Sequence, residues 1–375
     1  MDSRVEVVAS LPYRGPMGTG QNTFGKGSSS ASGFVSGTGS SSASGFVSGT
    51  GQPVVAILTR DGLDEPANLA QIREVAEVRV CTTNSLGPAL SDGQGADVLL
   101  LWDFFSAALR DNWAQANTLR WVHVCAAGVD AMLFDELRSS DVIVTNAHGV
   151  FDGPIAEFVL GSIIAQDKQF HRSQRLQQQK RWERRDTIRT AGRSALVIGT
   201  GGIGRAVARL LRTVGLQVTG AGRTERTGDP DFGTVLATDD LSRYVGRFDN
   251  VITIAPLTEQ TTGLISAEVL AAMKPTSHLI NVGRGQLVNE LALIEAMRTG
   301  AIAAASLDVF DTEPLPELSP LWDMENVHIS AHMSGDVVGW RDELADRFLD
   351  NLRTYAQGEA PANQVDKALG YVRAG

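Results

Sequence analysis

The stretch GTGGIG, which begins at Gly199, has the glycine spacing of a loop that binds phosphate groups. A short apolar run, ALVIG, leads into it, and a helix-like pattern, RAVARLLRTVG, follows it. In such a strand-loop-helix unit Gly199 permits the tight turn, Gly201 lets the backbone approach a pyrophosphate, and Gly204 allows close packing of helix on strand. The free amides of Gly202 and Ile203, in the first helical turn, then face the anion. The stretch therefore predicts a dinucleotide site in preference to a bare tight turn.

The next strand-like run, residues 216–221, ends on Gly222, Arg223 and Thr224. In NAD-binding versions of this unit an Asp or Glu about 20 residues after the glycines bonds the ribose 2′-hydroxyl. A carboxylate would repel a 2′-phosphate, whereas a guanidinium can pair with it through two hydrogen bonds. Arg223, with Thr224 beside it, therefore predicts NADP(H) as the preferred cofactor and leaves NAD(H) possible. A solvated arginine in a polar loop, with Arg226 nearby, is the alternative interpretation.

Length and composition indicate a globular protein of two domains, because 375 residues exceed the size at which single hydrophobic cores stop growing. The net charge of -10 argues against a nucleic-acid partner. We expect no membrane association, because no segment reaches the roughly 18 apolar residues of a span and the N-terminus lacks a signal-peptide pattern. Cys81 and Cys125 have neither metal-ligand nor disulfide spacing, so we expect buried thiols, no metal site and a cytoplasmic location.

Strand-like and helix-like patterns alternate from Pro53 onward, which predicts parallel sheets with helices on both faces. The strand-like runs form two series, VVAILT, EVRVC, DVLLL, WVHVC and DVIVT, then ALVIG, LQVTGA, NVITIA, HLINV, AASLDVF and NVHIS. One long helix over residues 153–186 is expected to join the two series. Residues 1–52, in which SSSASGFVSGTG occurs twice, are rich in Gly and Ser and predict a disordered tail.

Five motifs follow one another with a characteristic order and spacing: VIGTGGIGRAVARLL, IAPLTEQTTGLI, NVGRGQLVNE, SLDVFDTEPL and LWDMENVHISAHMSG. The chain thus resembles the D-isomer-specific 2-hydroxyacid dehydrogenases, which include glyoxylate and hydroxypyruvate reductases. The resemblance implies an α/β fold of two doubly wound parallel-sheet domains with a cleft between them. A flavodoxin-like substrate domain would comprise residues 53–149 and 333–375, and a Rossmann nucleotide domain would comprise residues 150–332.

The resemblance also implies roles for single residues. Arg284 matches the arginine that binds the substrate carboxylate and polarises the carbonyl, a task suited to a permanently charged planar group. His332 matches the acid/base residue, and imidazole exchanges protons near neutral pH. Glu313 matches the carboxylate that hydrogen-bonds this histidine and fixes which ring nitrogen faces the substrate. Gly128 and Val129 match the loop whose backbone amides donate hydrogen bonds to the substrate carboxylate.

Other matches concern the edges of the site. Asp308 corresponds to a position near the nicotinamide, and Pro256 and Leu257 correspond to the loop that borders the adenosine. The segment LLWDFF, residues 100–105, matches a wall of the substrate pocket, although its aromatic residues are equally compatible with the core. The implied activity is NAD(P)H-dependent reduction of small 2-oxoacids to D-2-hydroxyacids.

Two departures, a basic segment and one rival interpretation accompany the resemblance, and the Gly/Ser-rich tail, which the family does not require, is one of the departures. The family usually has Pro before the catalytic histidine, whereas this chain has Ala331, which predicts a looser loop. Seven Lys or Arg and one acid lie in residues 168–185, which favours a solvated face or dimer arm over a nucleic-acid patch. Because related enzymes are commonly dimers, we expect a symmetric homodimer. The alternative function is a catalytically weak, nucleotide-sensing scaffold like the C-terminal-binding protein corepressors, since a fold does not guarantee turnover.

Overall fold

The structure, a computed structural model, describes residues 51–372. The predicted tail of residues 1–52 lies outside the described residues except for its last two positions. None of the helices in the described range is long and apolar enough to cross a membrane. Cys81 and Cys125 are both free and buried, and burial raises the pKa of the Cys81 thiol to about 11.

Five parallel strands form the first sheet, in the order β2-β1-β3-β4-β5. They are β1 (Val54–Leu58), β2 (Glu77–Cys81), β3 (Val98–Leu101), β4 (Trp121–Val124) and β5 (Ile143–Asn146). The connecting helices are α1 (Leu69–Val75), α2 (Leu86–Ser91), α3 (Ala108–Asp111) and α4 (Asp135–Ser139). Continuous burial of β1, β3 and β4 explains why these strands are apolar runs without alternation. The strand order is the flavodoxin-like one that the sequence predicts.

The chain crosses to the second sheet through two helices, α5 (Asp152–Asp167) and α6 (Phe170–Gln178). The prediction of a single helix over residues 153–186 is therefore wrong. Gln169 interrupts the helix with a left-handed φ of 54°. Residues 179–190 have no regular structure and fold back, so that the amide of Ile188 bonds the carbonyl of Asp167 at 3.0 Å. This return of the chain satisfies a carbonyl at the end of α5.

Eight strands form the second sheet, in the order β13-β12-β11-β10-β6-β7-β9-β8. They are β6 (Ser194–Ile198), β7 (Gln217–Gly222), β8 (Arg226–Asp229), β9 (Gly233–Ala237), β10 (Asn250–Thr253), β11 (His278–Asn281), β12 (Ala304–Leu307) and β13 (Val327–Ile329). The helices are α7 (Gly202–Thr213), α8 (Leu241–Tyr244), α9 (Ala267–Ala272) and α10 (Glu290–Thr299). Only β8 is antiparallel to its neighbour. Without that edge strand the order is the Rossmann one, and the predicted class of two parallel-sheet α/β units is confirmed.

The chain then returns to the first sheet through α11 (Trp340–Ala356), which packs against α1. The ring of Phe348 stacks on that of Trp121 with 5.4 Å between centroids, and both side chains are fully buried. A short hairpin of β14 (Val365–Asp366) and β15 (Tyr371–Val372) follows beside β5. The return matches the expected order of elements, whereas the domain boundaries at residues 149 and 332 stay predictions.

Candidate active site

The three predicted catalytic side chains lie on the loops that follow β11, β12 and β13. His332 Nδ1 lies 2.8 Å from a carboxylate oxygen of Glu313. Arg284 lies on the loop after β11, and its positive charge lowers the pKa of Glu313. The structure thus brings Arg284, Glu313 and His332 into one region, although they are separated by 48 positions along the chain, from 284 to 332.

Glu313 is ionised and orients the ring of His332. Burial alone would raise the pKa of Glu313, but hydrogen bonds from His332 and from the Phe310 amide, together with the charge of Arg284, lower it overall. The Phe310 amide donates to the second carboxylate oxygen at 2.9 Å. An ionised Glu313 accepts a hydrogen bond from Nδ1–H, so Nε2 is the ring nitrogen left for proton exchange. Within residues 51–372, the His332 ring forms its hydrogen bond through Nδ1.

Asp308, at the end of β12, holds the loop that carries His332. Its fully buried carboxylate accepts hydrogen bonds from the Ser330 hydroxyl at 2.6 Å and from the Met333 and Ser334 amides at 3.0 and 2.9 Å. Its backbone carbonyl accepts from the His332 amide at 2.8 Å. These bonds keep His332 in the left-handed region, with a φ of 51°. The looser loop expected from Ala331 and the cofactor contact expected of Asp308 stay predictions.

Arg284 reaches from the second sheet to the loop after β4. Its Nη2 donates to Asp130 at 2.9 Å, its Nε donates to both oxygens of the same carboxylate at 3.2 Å, and its Nη1 donates to the Gly283 carbonyl at 2.8 Å. The guanidinium lies directly over Gly128, where an added Cβ would collide with Nη2. Gly128 and the buried Val129 therefore stand next to Arg284, as the resemblance implies for a carboxylate site.

Phe105, on the loop after β3, lies beside His332. Its side chain is 67% exposed, and its ring centroid lies 6.2 Å from that of His332 in an edge-to-face arrangement. Phe104 is partly buried and packs against both Phe105 and Trp340. Of the two interpretations of segment 100–105, Phe105 fits the pocket wall, whereas Phe104 borders the core.

The glycine loop after β6 packs closely at Gly199 and Gly204 and is open at Gly201. Gly199 has a φ of 117° and lies against the loop after β10, since an added Cβ would be 2.7 Å from the Ala255 amide nitrogen. A Cβ at Gly204 would collide with the carbonyl of Gly199, which shows how closely α7 approaches β6. Nothing lies within 4 Å of a Cβ placed on Gly201, the residue that precedes α7. This open N-terminus of a twelve-residue helix, with its unpaired amides, suits an anionic group.

The remaining predicted cofactor positions surround this loop. Gly202 and Ile203 begin α7. Arg223 and Thr224 are exposed just after β7, and the Arg223 guanidinium lies 5.5 Å from the centroid of the Tyr371 ring. Pro256 is exposed in the loop after β10, next to the Ala255 that contacts Gly199, and Leu257 is partly buried beside it.

Sequence reasoning missed two acidic residues at the site. Asp130 pairs with Arg284, and its position directly after Gly128 and Val129 was the available signal. Asp152, at the start of α5, has a carboxylate oxygen 2.8 Å from the point where a Cβ on Gly202 would lie, and burial raises its pKa. Within residues 51–372, no group of three or more His, Cys, Asp or Glu side chains could hold a metal ion.

The two sheets, the glycine loop and the Arg, Glu and His side chains together define a nicotinamide-dependent oxidoreductase. Residues 160–334 match the sequence profile of the D-isomer specific 2-hydroxyacid dehydrogenase NAD binding domain. A glyoxylate reductase from Aeropyrum pernix is 32% identical over 298 residues, which cover 76% of this chain and 87% of that relative. The chain belongs to the D-isomer specific 2-hydroxyacid dehydrogenase family.

Solved structures of family members resemble the whole described fold. One is a D-isomer specific 2-hydroxyacid dehydrogenase from Xanthobacter autotrophicus in complex with NADPH and MES, with 29% identity and a TM-score of 0.71, covering 86% of this chain and 100% of that one. Another is an NADPH-dependent glyoxylate/hydroxypyruvate reductase from Sinorhizobium meliloti in complex with NADP and sulfate, with 25% identity, a TM-score of 0.71 and the same coverage.

Replacing Gly128 with Ala should displace the Arg284 guanidinium, because the new methyl group would occupy the position of Nη2. A misplaced reacting or binding group can cost about 100-fold in rate, so we expect kcat/KM for a 2-oxoacid to fall by about 10- to 100-fold. The measurement is steady-state kinetics with NADPH. Gly161→Ala is the matched control, because a Cβ there meets nothing within 4 Å, and unchanged kinetics in Gly128→Ala would contradict the placement of Arg284.

Proposed function

We propose that this protein reduces small 2-oxoacids to D-2-hydroxyacids with NAD(P)H, using His332 as general acid/base and Arg284 as the clamp for the substrate carboxylate. The observation that carries the proposal is the 2.8 Å contact between His332 Nδ1 and Glu313, in the same region as Arg284. The bound reduced nicotinamide supplies the hydride. The glyoxylate reductase and the glyoxylate/hydroxypyruvate reductase among the similar proteins support a small 2-oxoacid as substrate.

Each protein group has a distinct task in this reaction. Arg284 and the amides of Gly128 and Val129 hold the carboxylate, and the fixed positive charge of Arg284 favours negative charge on the neighbouring carbonyl oxygen. His332 delivers a proton from Nε2 to that oxygen as the alkoxide forms. The anionic Glu313 stabilises the protonated imidazole and prevents its rotation. Reversal of the same proton transfer serves oxidation of the D-2-hydroxyacid.

Replacing His332 with Ala should lower kcat by about 100- to 10,000-fold, the usual contribution of a positioned acid/base group. The measurement is NADPH oxidation with glyoxylate, hydroxypyruvate, pyruvate and phenylpyruvate, which also shows how large a substituent Phe105 admits. NADPH binding, followed by fluorescence, should persist in the variant. His171→Ala, on α6, is the control. Undiminished turnover in His332→Ala would contradict the assignment, and no turnover by the wild type across this panel would favour the scaffold function.

We further propose that NADP(H) is preferred over NAD(H), through Arg223. The Arg223 side chain is exposed, and its guanidinium lies over the Tyr371 ring. Within residues 51–372, Arg223 forms no ion pair with a carboxylate. Arg226, by contrast, is held by Asp229 at 3.0 Å. The two similar solved structures that contain NADPH or NADP support this preference.

Replacing Arg223 with Ala should reduce the ratio of kcat/KM for NADPH to that for NADH by about 10- to 100-fold, because a charge-assisted hydrogen bond contributes about 1.5–3 kcal/mol. Kinetics with both cofactors measures the ratio. Arg243→Ala removes an arginine that is 80% exposed on the same sheet unit and should leave the ratio unchanged. A wild-type preference for NADH would refute the assignment.

We also propose a symmetric homodimer that uses the segment after α6. Trp182 is 96% exposed there, and Phe170 is 56% exposed at the start of α6. The segment is nevertheless anchored, since Arg185 donates to Gln169 Oε1 at 2.8 Å and to the Gln169 carbonyl at 3.0 Å. An exposed indole on an anchored segment is typical of a surface that a second copy covers.

Sedimentation velocity should show a dimer for the wild type and a monomer for Trp182→Asp, because a carboxylate placed in an apolar interface loses its hydration. Leu291→Asp alters an equally apolar side chain that is 80% exposed on α10 and should leave the dimer intact. A monomeric wild type would exclude the proposal.

The domain division and the location complete the proposal. We infer that the substrate domain comprises residues 53–149 and 333–375 and that the nucleotide domain comprises residues 150–332. The packing of α11 against α1 supports this division. We infer a cytoplasmic location, which the free, buried Cys81 and Cys125 support, because reducing compartments keep thiols unpaired.

A further inference from the structure

We infer that Asp130 is a positioning residue for Arg284. It turns the outer edge of the guanidinium, which is formed by Nη1 and Nη2, toward the substrate carboxylate. The inference rests on the proposed function, since it concerns the same carboxylate clamp. Asp130 begins the short turn after Gly128 and Val129 and belongs to the first sheet, whereas Arg284 belongs to the second.

The hydrogen bonds of Arg284 define which edge of its guanidinium is used. A guanidinium has five N–H groups, one on Nε and two on each terminal nitrogen. Asp130 accepts from Nε and Nη2, which together form one lateral edge, at 3.2 and 2.9 Å. The Gly283 carbonyl accepts from Nη1 at 2.8 Å. Within residues 51–372 these bonds leave one N–H on each terminal nitrogen, and we assign both to the outer edge, which joins Nη1 and Nη2.

The outer edge has the geometry that a carboxylate or a 2-oxoacid requires. Two parallel N–H groups bind two oxygens in a fork, and binding on this edge does not require Asp130 to leave the lateral edge. Asp130 can therefore orient Arg284 without competing with the substrate. This explains why an acid is tolerated two residues from Gly128, on a loop that is itself predicted to bind an anion.

The backbone beneath the guanidinium completes the orientation. Gly283 is held by its neighbour, since its amide donates to Asn281 at 3.2 Å, and Asn281 also bonds the Arg284 carbonyl at 2.9 Å. The side chain therefore has a fixed origin on one sheet and a fixed partner on the other. Exposed ion pairs by themselves contribute little to stability, and the side chains of Arg284 and Asp130 are 26% and 27% exposed. The pair is thus better explained by orientation than by stability.

Loss of Asp130 would release the lateral edge of Arg284. Glu313 is an alternative anion for Arg284, because the charge of Arg284 already lowers the pKa of Glu313. A guanidinium that turned toward Glu313 would leave the carboxylate site and would compete with His332 for the same acid. We therefore expect a lower affinity for the substrate and an unchanged affinity for the cofactor.

The test compares Asp130→Ala and Asp130→Asn in the full chain, with glyoxylate and NADPH as substrates and oxamate as a non-reducible ligand. We expect Asp130→Ala to lower kcat/KM for glyoxylate by about 10- to 100-fold and to weaken oxamate binding, with the Kd of NADPH within twofold of the wild type. Asp130→Asn keeps an oxygen acceptor in the same place. Its loss of kcat/KM, expressed as a logarithm, should therefore be at most half of the loss in Asp130→Ala. Glu136→Ala, an exposed acid nearby, is the control.

Three results would overturn the inference. Kinetics of Asp130→Ala equal to the wild type would show that Arg284 needs no such partner. Tighter oxamate binding in either variant would show that Asp130 competes with the substrate. An equal loss in both variants, accompanied by a matching fall in Tm, would show a structural role only. A wild type that neither reduces glyoxylate nor binds oxamate would remove the proposed function as well, whereas an active wild type with unaffected variants would remove this inference alone.

Discussion

The buried carboxylate of Asp308 is the constraint on which the geometry of the site depends. A fully buried carboxyl group must be satisfied by hydrogen bonds, and here the side-chain carboxyl receives them from residues 330–334. The same bonds hold His332 at a positive φ that an ordinary side chain adopts at a cost. These hydrogen bonds lie on both sides of Ala331, the position for which the sequence predicts a looser loop.

The second organising feature is the way that both sheets present their loops to one another. The reversal of strand order between β6 and β10 opens a crevice at the ends of these strands, and the loop of Gly199 lies there against Ala255. Arg284 extends from the neighbouring strand of the same sheet to Asp130 and Gly128 of the first sheet. In the proposed function, anion binding is divided between a helix N-terminus for phosphate and a side chain for carboxylate.

Much of the fold and of the site could be predicted from the sequence, because buried parallel strands are unbroken apolar runs and because GTGGIG allows few structures. The strands β8 and β9 were missed, since Gly228, Pro230 and Gly233 give that segment the composition of a loop. The break at Gln169 was missed because it depends on a chain that returns from residue 188 to satisfy α5. The pairing of Asp130 with Arg284 joins residues 154 positions apart, and no local pattern encodes such a contact.

The position of α11 has a consequence for the order in which the protein is made. Trp121 emerges from the ribosome more than two hundred residues before Phe348, the side chain that covers it. Domains generally fold during synthesis as their residues become available, so the eight-stranded unit can close while the first sheet still has an uncovered apolar face. Completion of the five-stranded unit therefore waits for α11, and the Trp121 ring lacks its stacking partner until that helix has been made.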